Sequence, residues 1–167
     1  MDFQDMIFRL DRYWARQGCA LLPPGGAARP GAPASLAGAA GRRGLPPDGL
    51  EGVYRYRVLL SPAPAAARRL FLDSLRAAGL DRSEHDLRWP AFEDGPRAGA
   101  GPGWDVLLDG LPLARFSYLL PASGPAGAEI ELSLERLALA AQRRKDAASL
   151  AWAGRLTYGE LHAGEAA

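Results

Sequence analysis

The sequence predicts a single α+β domain over its 167 residues, and three observations carry that prediction. Apolar residues recur at helical spacing near the N-terminus, a period-two pattern runs from Val53 to Leu60, and Asp109-Gly110 separates two extended runs in the manner of a β-hairpin. Hydrophobic side chains make up 48% of the chain, enough for one compact core.

Phe3, Met6, Ile7, Leu10 and Trp14 form an apolar stripe, with Asp2 as the N-terminal cap and Gly18 as the stop. Cys19 to Leu22 then reads as a short strand ended by Pro23-Pro24. Between Pro23 and Gly49, 20 of 27 residues are Ala, Gly or Pro. So few large apolar groups cannot offset the entropy of ordering a long loop, so a flexible segment is expected at about 23–49. From Val53 to Leu60, Tyr54, Tyr56, Val58 and Leu60 share one face, and Arg55 and Arg57 the other. Ser61-Pro62 is expected to open a helix through Ala78 that buries Leu70, Phe71, Ser74 and Leu75 and stops at Gly79. Trp104–Leu108 and Leu111–Leu119 flank Asp109-Gly110, with Pro112 limiting pairing on one side. Glu129–Leu132 reads as a further strand, followed by a helix from Ser133 carrying Leu134, Leu137, Ala138 and Ala141.

Twenty Lys+Arg against 19 Asp+Glu give a net charge of +1, so no global field draws nucleic acid or an anionic membrane, and any RNA contact must be local. Lys145 is the only lysine; the arginine preference fits GC-rich coding drift as well as selection for phosphate binding. One cysteine, Cys19, and two histidines, His85 and His162, cannot assemble a four-ligand zinc set, so no structural metal is expected. Without a leader pattern or a membrane-length apolar run, the chain reads as cytoplasmic, with no membrane partner.

The segment Tyr13-Trp14-Ala15-Arg16-Gln17-Gly18-Cys19 is similar to the opening of the alpha subunit of the bacterial tetrameric glycyl-tRNA synthetase. The resemblance continues through Tyr56–Pro64, His85-Asp86-Leu87-Arg88, Gly103-Trp104-Asp105-Val106, Phe116-Ser117-Tyr118, Glu129-Ile130 and Leu134-Glu135-Arg136-Leu137-Ala138 to Thr157-Tyr158-Gly159. It implies the antiparallel sheet flanked by helices of class II aminoacyl-tRNA synthetases, over residues 1–167 as one catalytic core. The family's C-terminal helical region is expected to be absent. It also implies ATP-dependent activation of glycine with Mg²⁺ and transfer to tRNA, by a homodimer with a separate beta subunit supplying most tRNA contacts.

Adenylate formation relies on cations that neutralise the triphosphate and groups that orient a carboxylate against the α-phosphorus. By resemblance, Arg42 and Arg43 hold the place of a paired-arginine entry to the second class II motif, and Glu135-Arg136 that of the third, making Arg42, Arg43 and Arg136 the catalytic candidates and all four residues the ATP-binding set. Two solvated loop arginines remain the alternative for Arg42 and Arg43. The amino-acid site falls to Glu93, Trp104, Asp105, Ser117 and Tyr118, although Trp14, Trp104 and Trp152 also fit core or interface packing. No nucleophile motif accompanies His85-Asp86, which reads as structural.

The departures from the family fall on chemistry. The second-motif loop is short, Ser133 and Ala128 replace glycines in positions expected to crowd a nucleotide, and Arg115 and Leu120-Pro121 stand where the family has glutamines. Three readings follow: a glycine–tRNA ligase subunit, a non-catalytic paralogue kept as a binding or dimerisation module, and an amino-acid ligase for another acceptor.

Overall fold

The computed structural model describes residues 1–22, 34–41, 54–91, 100–120 and 126–163. Helix α1 (Phe3–Arg16) begins in a capping box: the Asp2 carboxylate accepts from the Asp5 amide at 2.8 Å and the Asp5 carboxylate from the Asp2 amide at 3.4 Å. Its expected stripe is buried, with Phe3, Met6, Leu10 and Trp14 inside the core. Gly18 at φ 94° lets the chain reverse, and the Cys19 amide returns to the Trp14 carbonyl at 3.0 Å.

Of the next two strands the first falls where the short strand at Cys19 to Leu22 was expected, and the second corrects the sequence reading. Strand β1 (Ala20–Leu21) pairs in parallel with β2 (Leu36–Gly41), which lies inside the segment expected to be flexible. Strand β2 has almost no apolar side chain to bury, and its order comes from six-residue pairing with β3 (Tyr54–Leu60). Its small residues serve close approach: a Cβ on Gly38 would meet Leu22 at 3.1 Å. The rest of the segment, 23–33 and 42–49, lies outside the described residues.

Helix α2 (Ala67–Ala77) starts later than the Ser61-Pro62 signal implied. Pro64 disfavours helical backbone at Ala63, whose amide instead donates to the Ala126 carbonyl at 2.8 Å. The chain then passes through a 3₁₀ turn (Arg82–Glu84) and short strand β4 (Leu87–Arg88) to β5 (Ala100–Leu108) and β6 (Leu111–Leu119). Asp109 (φ 52°) and Gly110 (φ 82°) make the tight connection that the sequence signalled, and the pairing shifts register beside Pro112. Strand β7 (Gly127–Ser133) leads directly into α3 (Leu134–Gln142), capped by Ser133 Oγ accepting from the Arg136 amide at 3.3 Å. A small hairpin, β8 (Ala151–Ala153) and β9 (Leu156–Thr157), precedes the single-turn helix α4 (Tyr158–Leu161).

The main sheet has the order β1-β2-β3-β7-β6-β5-β4 and is antiparallel except at β1–β2. The pleat gives it two unlike faces. Tyr56, Val58, Leu60, Val106, Phe116, Ala128, Ile130 and Leu132 join Met6, Leu10, Phe71, Leu75, Leu134 and Leu137 of the helices in one core. Each fully buried large apolar side chain contributes about 1.5–3 kcal/mol. Alternate positions, including Arg55, Arg57, Asp105, Arg115, Ser117, Glu129 and Glu131, occupy the other face.

Candidate active site

The second face carries a charge pattern that the strand register creates. Gly38, Arg57, Glu131, Arg115 and Asp105 lie directly opposite one another across β2, β3, β7, β6 and β5, a row of alternating sign beyond the glycine. The side chains pair partly along this row and partly diagonally: Arg57 Nη2 donates to Glu129 Oε1 at 3.0 Å, Arg55 Nε stands 3.7 Å from Glu131 Oε1, and Arg115 Nε donates to Asp105 Oδ1 at 3.0 Å. Every member is about a third or more exposed, so each pair contributes at most about 1 kcal/mol. A cavity of about 430 Å³ opens over the Arg55, Glu131, Arg115 and Asp105 side chains.

Arg136 and Glu135 stand at the start of α3, beside Ser133, which is itself paired with Arg55. Arg136 makes no ion pair with a carboxylate among the described residues, and its Nε is buried without a hydrogen-bond partner. Glu135 is fully buried, and its Oε1 accepts from the Tyr54 amide at 2.9 Å and the Tyr158 hydroxyl at 3.1 Å. Burial pushes its carboxyl above the usual range, against the opposing pull of those hydrogen bonds. These bonds give Glu135 a positioning role: it fixes the first residue of β3. Tyr54 in turn lies opposite Gly41, the last residue of β2. Gly41 and Tyr54, which flank Arg42 and Arg43 in sequence, are thus tied to each other, and Tyr54 to the first turn of α3. Arg42, Arg43 and Glu93 themselves lie outside the described residues.

The pleat divides the remaining candidates. Asp105 and Ser117 belong to the charged face, whereas Trp104 and Tyr118 pack on the helix-covered side, their rings 6.0 Å apart and at 6.2 and 5.4 Å from Phe116. The Arg68 guanidinium lies over Trp104 at 5.1 Å and over Trp89 at 4.5 Å. One pocket on one face cannot contain all four residues, because neighbours in a strand point to opposite sides. The same rule corrects the expectation for Ala128, which is buried in the helix-side core and narrows nothing on the charged face. Ser133 is spent as the cap of α3.

Arg55, Arg57, Glu129 and Glu131 are the residues that sequence reasoning passed over. Their signal was present as Tyr-Arg-Tyr-Arg and Glu-Ile-Glu alternation; what the sequence lacked was the register that sets β3 against β7. His85 and Asp86, expected to be structural, both meet Asp109. His85 Nδ1 lies 2.7 Å from Asp109 Oδ2, and the Asp86 amide donates to Asp109 Oδ1 at 2.9 Å, tying the hairpin tip to the segment before β4.

Residues 32–166 match the family model described as the glycyl-tRNA synthetase alpha subunit. The chain belongs to the glycyl-tRNA synthetase alpha subunit family. The match spans β2 to α4 of this family's fold, while the Tyr13–Cys19 segment precedes it. Two solved structures of a pyrrolysyl-tRNA synthetase from Desulfitobacterium hafniense share the architecture. One aligns over 94% of this chain and 75% of its own with 13% identity and a TM-score of 0.63, the other over 92% and 73% with 12% identity and a TM-score of 0.61. At such identities the likeness concerns the fold. The mixed sheet flanked by helices is thus the class II synthetase fold that the sequence resemblance implied. Among the described residues no helix is long and apolar enough to cross a membrane.

Proposed function

We propose that the charged face binds ATP and an amino acid and forms an aminoacyl adenylate for transfer to tRNA. Arg136 carries this reading: a half-buried guanidinium on the first turn of α3, with a buried Nε and no carboxylate partner among the described residues, is fitted to receive an anion with several acceptor oxygens. In the proposed step a carboxylate oxygen of the amino acid attacks the α-phosphorus and pyrophosphate leaves. A ribose hydroxyl of tRNA then attacks the carbonyl, and AMP leaves. Arg136, with Arg42 and Arg43 on the neighbouring segment, would hold phosphate oxygens. Glu135 keeps the start of β3 in place and so fixes where that segment joins the sheet. Mg²⁺ would enter with the nucleotide, carried on its phosphates. A homodimer, with a beta subunit making most tRNA contacts, completes the reading by family membership.

ATP should raise the melting temperature by several degrees, and Arg136→Ala should abolish that shift. No shift in the unaltered protein, together with no amino-acid-dependent exchange of pyrophosphate into ATP with or without a beta subunit, would sink the proposal. The three ion pairs, which match these charges within the chain, favour a second reading, a binding or dimerisation module that keeps the fold without adenylate chemistry. It requires Arg136→Ala to leave every measurable function unchanged.

A further inference from the structure

Residues of β3, α3 and α4 close a ring of hydrogen bonds behind the first turn of α3. The Tyr54 amide and the Tyr158 hydroxyl both donate to Glu135 Oε1, at 2.9 and 3.1 Å. His162, only 3% exposed, completes the ring: its Nδ1 lies 2.7 Å from the Tyr158 carbonyl and its Nε2 2.7 Å from the Tyr54 hydroxyl. A carbonyl only accepts, so Nδ1 carries the hydrogen, and in the neutral imidazole Nε2 accepts from Tyr54. The Tyr158 ring stacks on the imidazole at 4.1 Å. The Tyr54 ring lies against Gly41, where a Cβ would meet its Cε1 at 2.9 Å. One imidazole thus links the end of β2, the start of β3 and Glu135, the neighbour of Arg136.

We propose that His162 is a proton-sensitive positioning residue for the start of β3 and the first turn of α3. A proton on Nε2 turns that nitrogen from acceptor to donor. The Tyr54 hydroxyl must then give up its bond to the imidazole and rotate. The groups facing the imidazole are Tyr54, Tyr158 and Trp152, and Glu135 is reached only through the two tyrosines. The charged residues on the surrounding elements, Asp2, Asp5, Asp146, Arg155 and Glu160, make no ion pair with it, and no other carboxylate does among the described residues. Protonation therefore loosens Tyr54 from α4, and with it the bond that holds Glu135 beside Arg136. The ring of hydrogen bonds carries the positioning role by itself; its effect on ATP rests on the nucleotide reading.

The test is nitrogen NMR on the whole chain, followed from about pH 8 to about pH 5, the interval in which histidine charge ordinarily changes. The imidazole should begin with its hydrogen on Nδ1. As Nε2 gains a proton, the Tyr54 and Arg136 amide signals should move with the same midpoint. That shared transition should be missing from His162→Gln, whose amide oxygen can still accept from Tyr54 without titrating. Over the same interval ATP affinity should fall about fivefold more in the unaltered protein than in the variant, the scale of one hydrogen bond. Protonation of ATP itself is common to both proteins and cancels in the comparison. Tyr54→Phe, which keeps the ring on Gly41 and removes the hydroxyl, serves the same purpose should His162→Gln not fold. Hydrogen on Nε2 at the start, no proton uptake over the interval, or amides that behave alike in the unaltered and variant proteins overturns the inference. If the amides follow the imidazole and ATP binds at no pH, the inference stands and the nucleotide reading fails. If ATP binds and its affinity falls equally in both proteins, the inference fails and the nucleotide reading stands.

Discussion

Strand β3 serves two faces that obey different physics. Tyr56 and Val58 are buried in a core where any volume change is felt, whereas Arg55 and Arg57, one residue away, sit in partly exposed ion pairs of small individual value. The covered face holds the protein together and says little about its chemistry. The charged face contributes little stability and is the face proposed to bind ligands. Neighbouring positions in one strand should therefore respond to mutation in opposite ways.

The largest expected effect is on the covered face. Phe116→Ala removes a fully buried ring that touches Phe71, Trp89, Trp104 and Tyr118, and should cost about 3–5 kcal/mol in urea denaturation. A loss below about 1 kcal/mol would mean that the two faces are not as distinct as their burial implies. Next comes Glu135, buried between them. Glu135→Ala strands the Tyr54 amide and the Tyr158 hydroxyl and should cost about 1–3 kcal/mol.

The same residue predicts a pH dependence of definite sign. A carboxyl whose pKa is raised by folding holds its proton in the folded state where the unfolded chain has lost it. Its contribution is full below the unfolded value and is lost as pH rises through the raised one. Glu135→Gln should flatten that decline in a stability–pH profile. Asp109 is displaced the opposite way, held below the usual range first by the Asp86 amide and then by His85. Its stabilisation is present above the unfolded pKa and disappears as pH falls through the lowered one; Asp109→Asn should weaken this acid sensitivity only slightly, since the group is exposed. The smallest stability effect belongs to the charged face: Arg57→Gln should change unfolding free energy by no more than about 1 kcal/mol. A loss comparable to that of Phe116→Ala would erase the contrast between the faces.

Legibility in the sequence followed the same division. The stripe of α1, the alternation of β3, the Asp109-Gly110 connection and the passage from β7 into α3 were readable because each is written in local period or turn chemistry. Strand β2 was not, because Leu-Ala-Gly-Ala-Ala-Gly has no amphipathic pattern and is specified by its neighbour. The late start of α2 came from Pro64 overriding the more conspicuous Ser61-Pro62. Glu135 and Arg136 became candidates through the resemblance, and Trp104, Asp105, Ser117 and Tyr118 as the lining of the small polar pocket it implies. The pleat puts Trp104 and Tyr118 on the opposite face from Asp105 and Ser117, a division that no local sequence pattern announces. The charge row required knowledge of which strand lies beside which.

The pairing of Gly41 with Tyr54 has an evolutionary consequence. Gly41 and Tyr54, the described residues that flank positions 42–53 in sequence, are partners on adjacent strands, and Tyr54 is fastened independently by Glu135. Closure of a loop between fixed ends costs only about 0.6 kcal/mol more for each doubling of its length. The insertion point thus behaves as a socket: a lineage could trim or replace the arginine-bearing connection and alter the chemistry it supplies while the sheet beneath keeps its register.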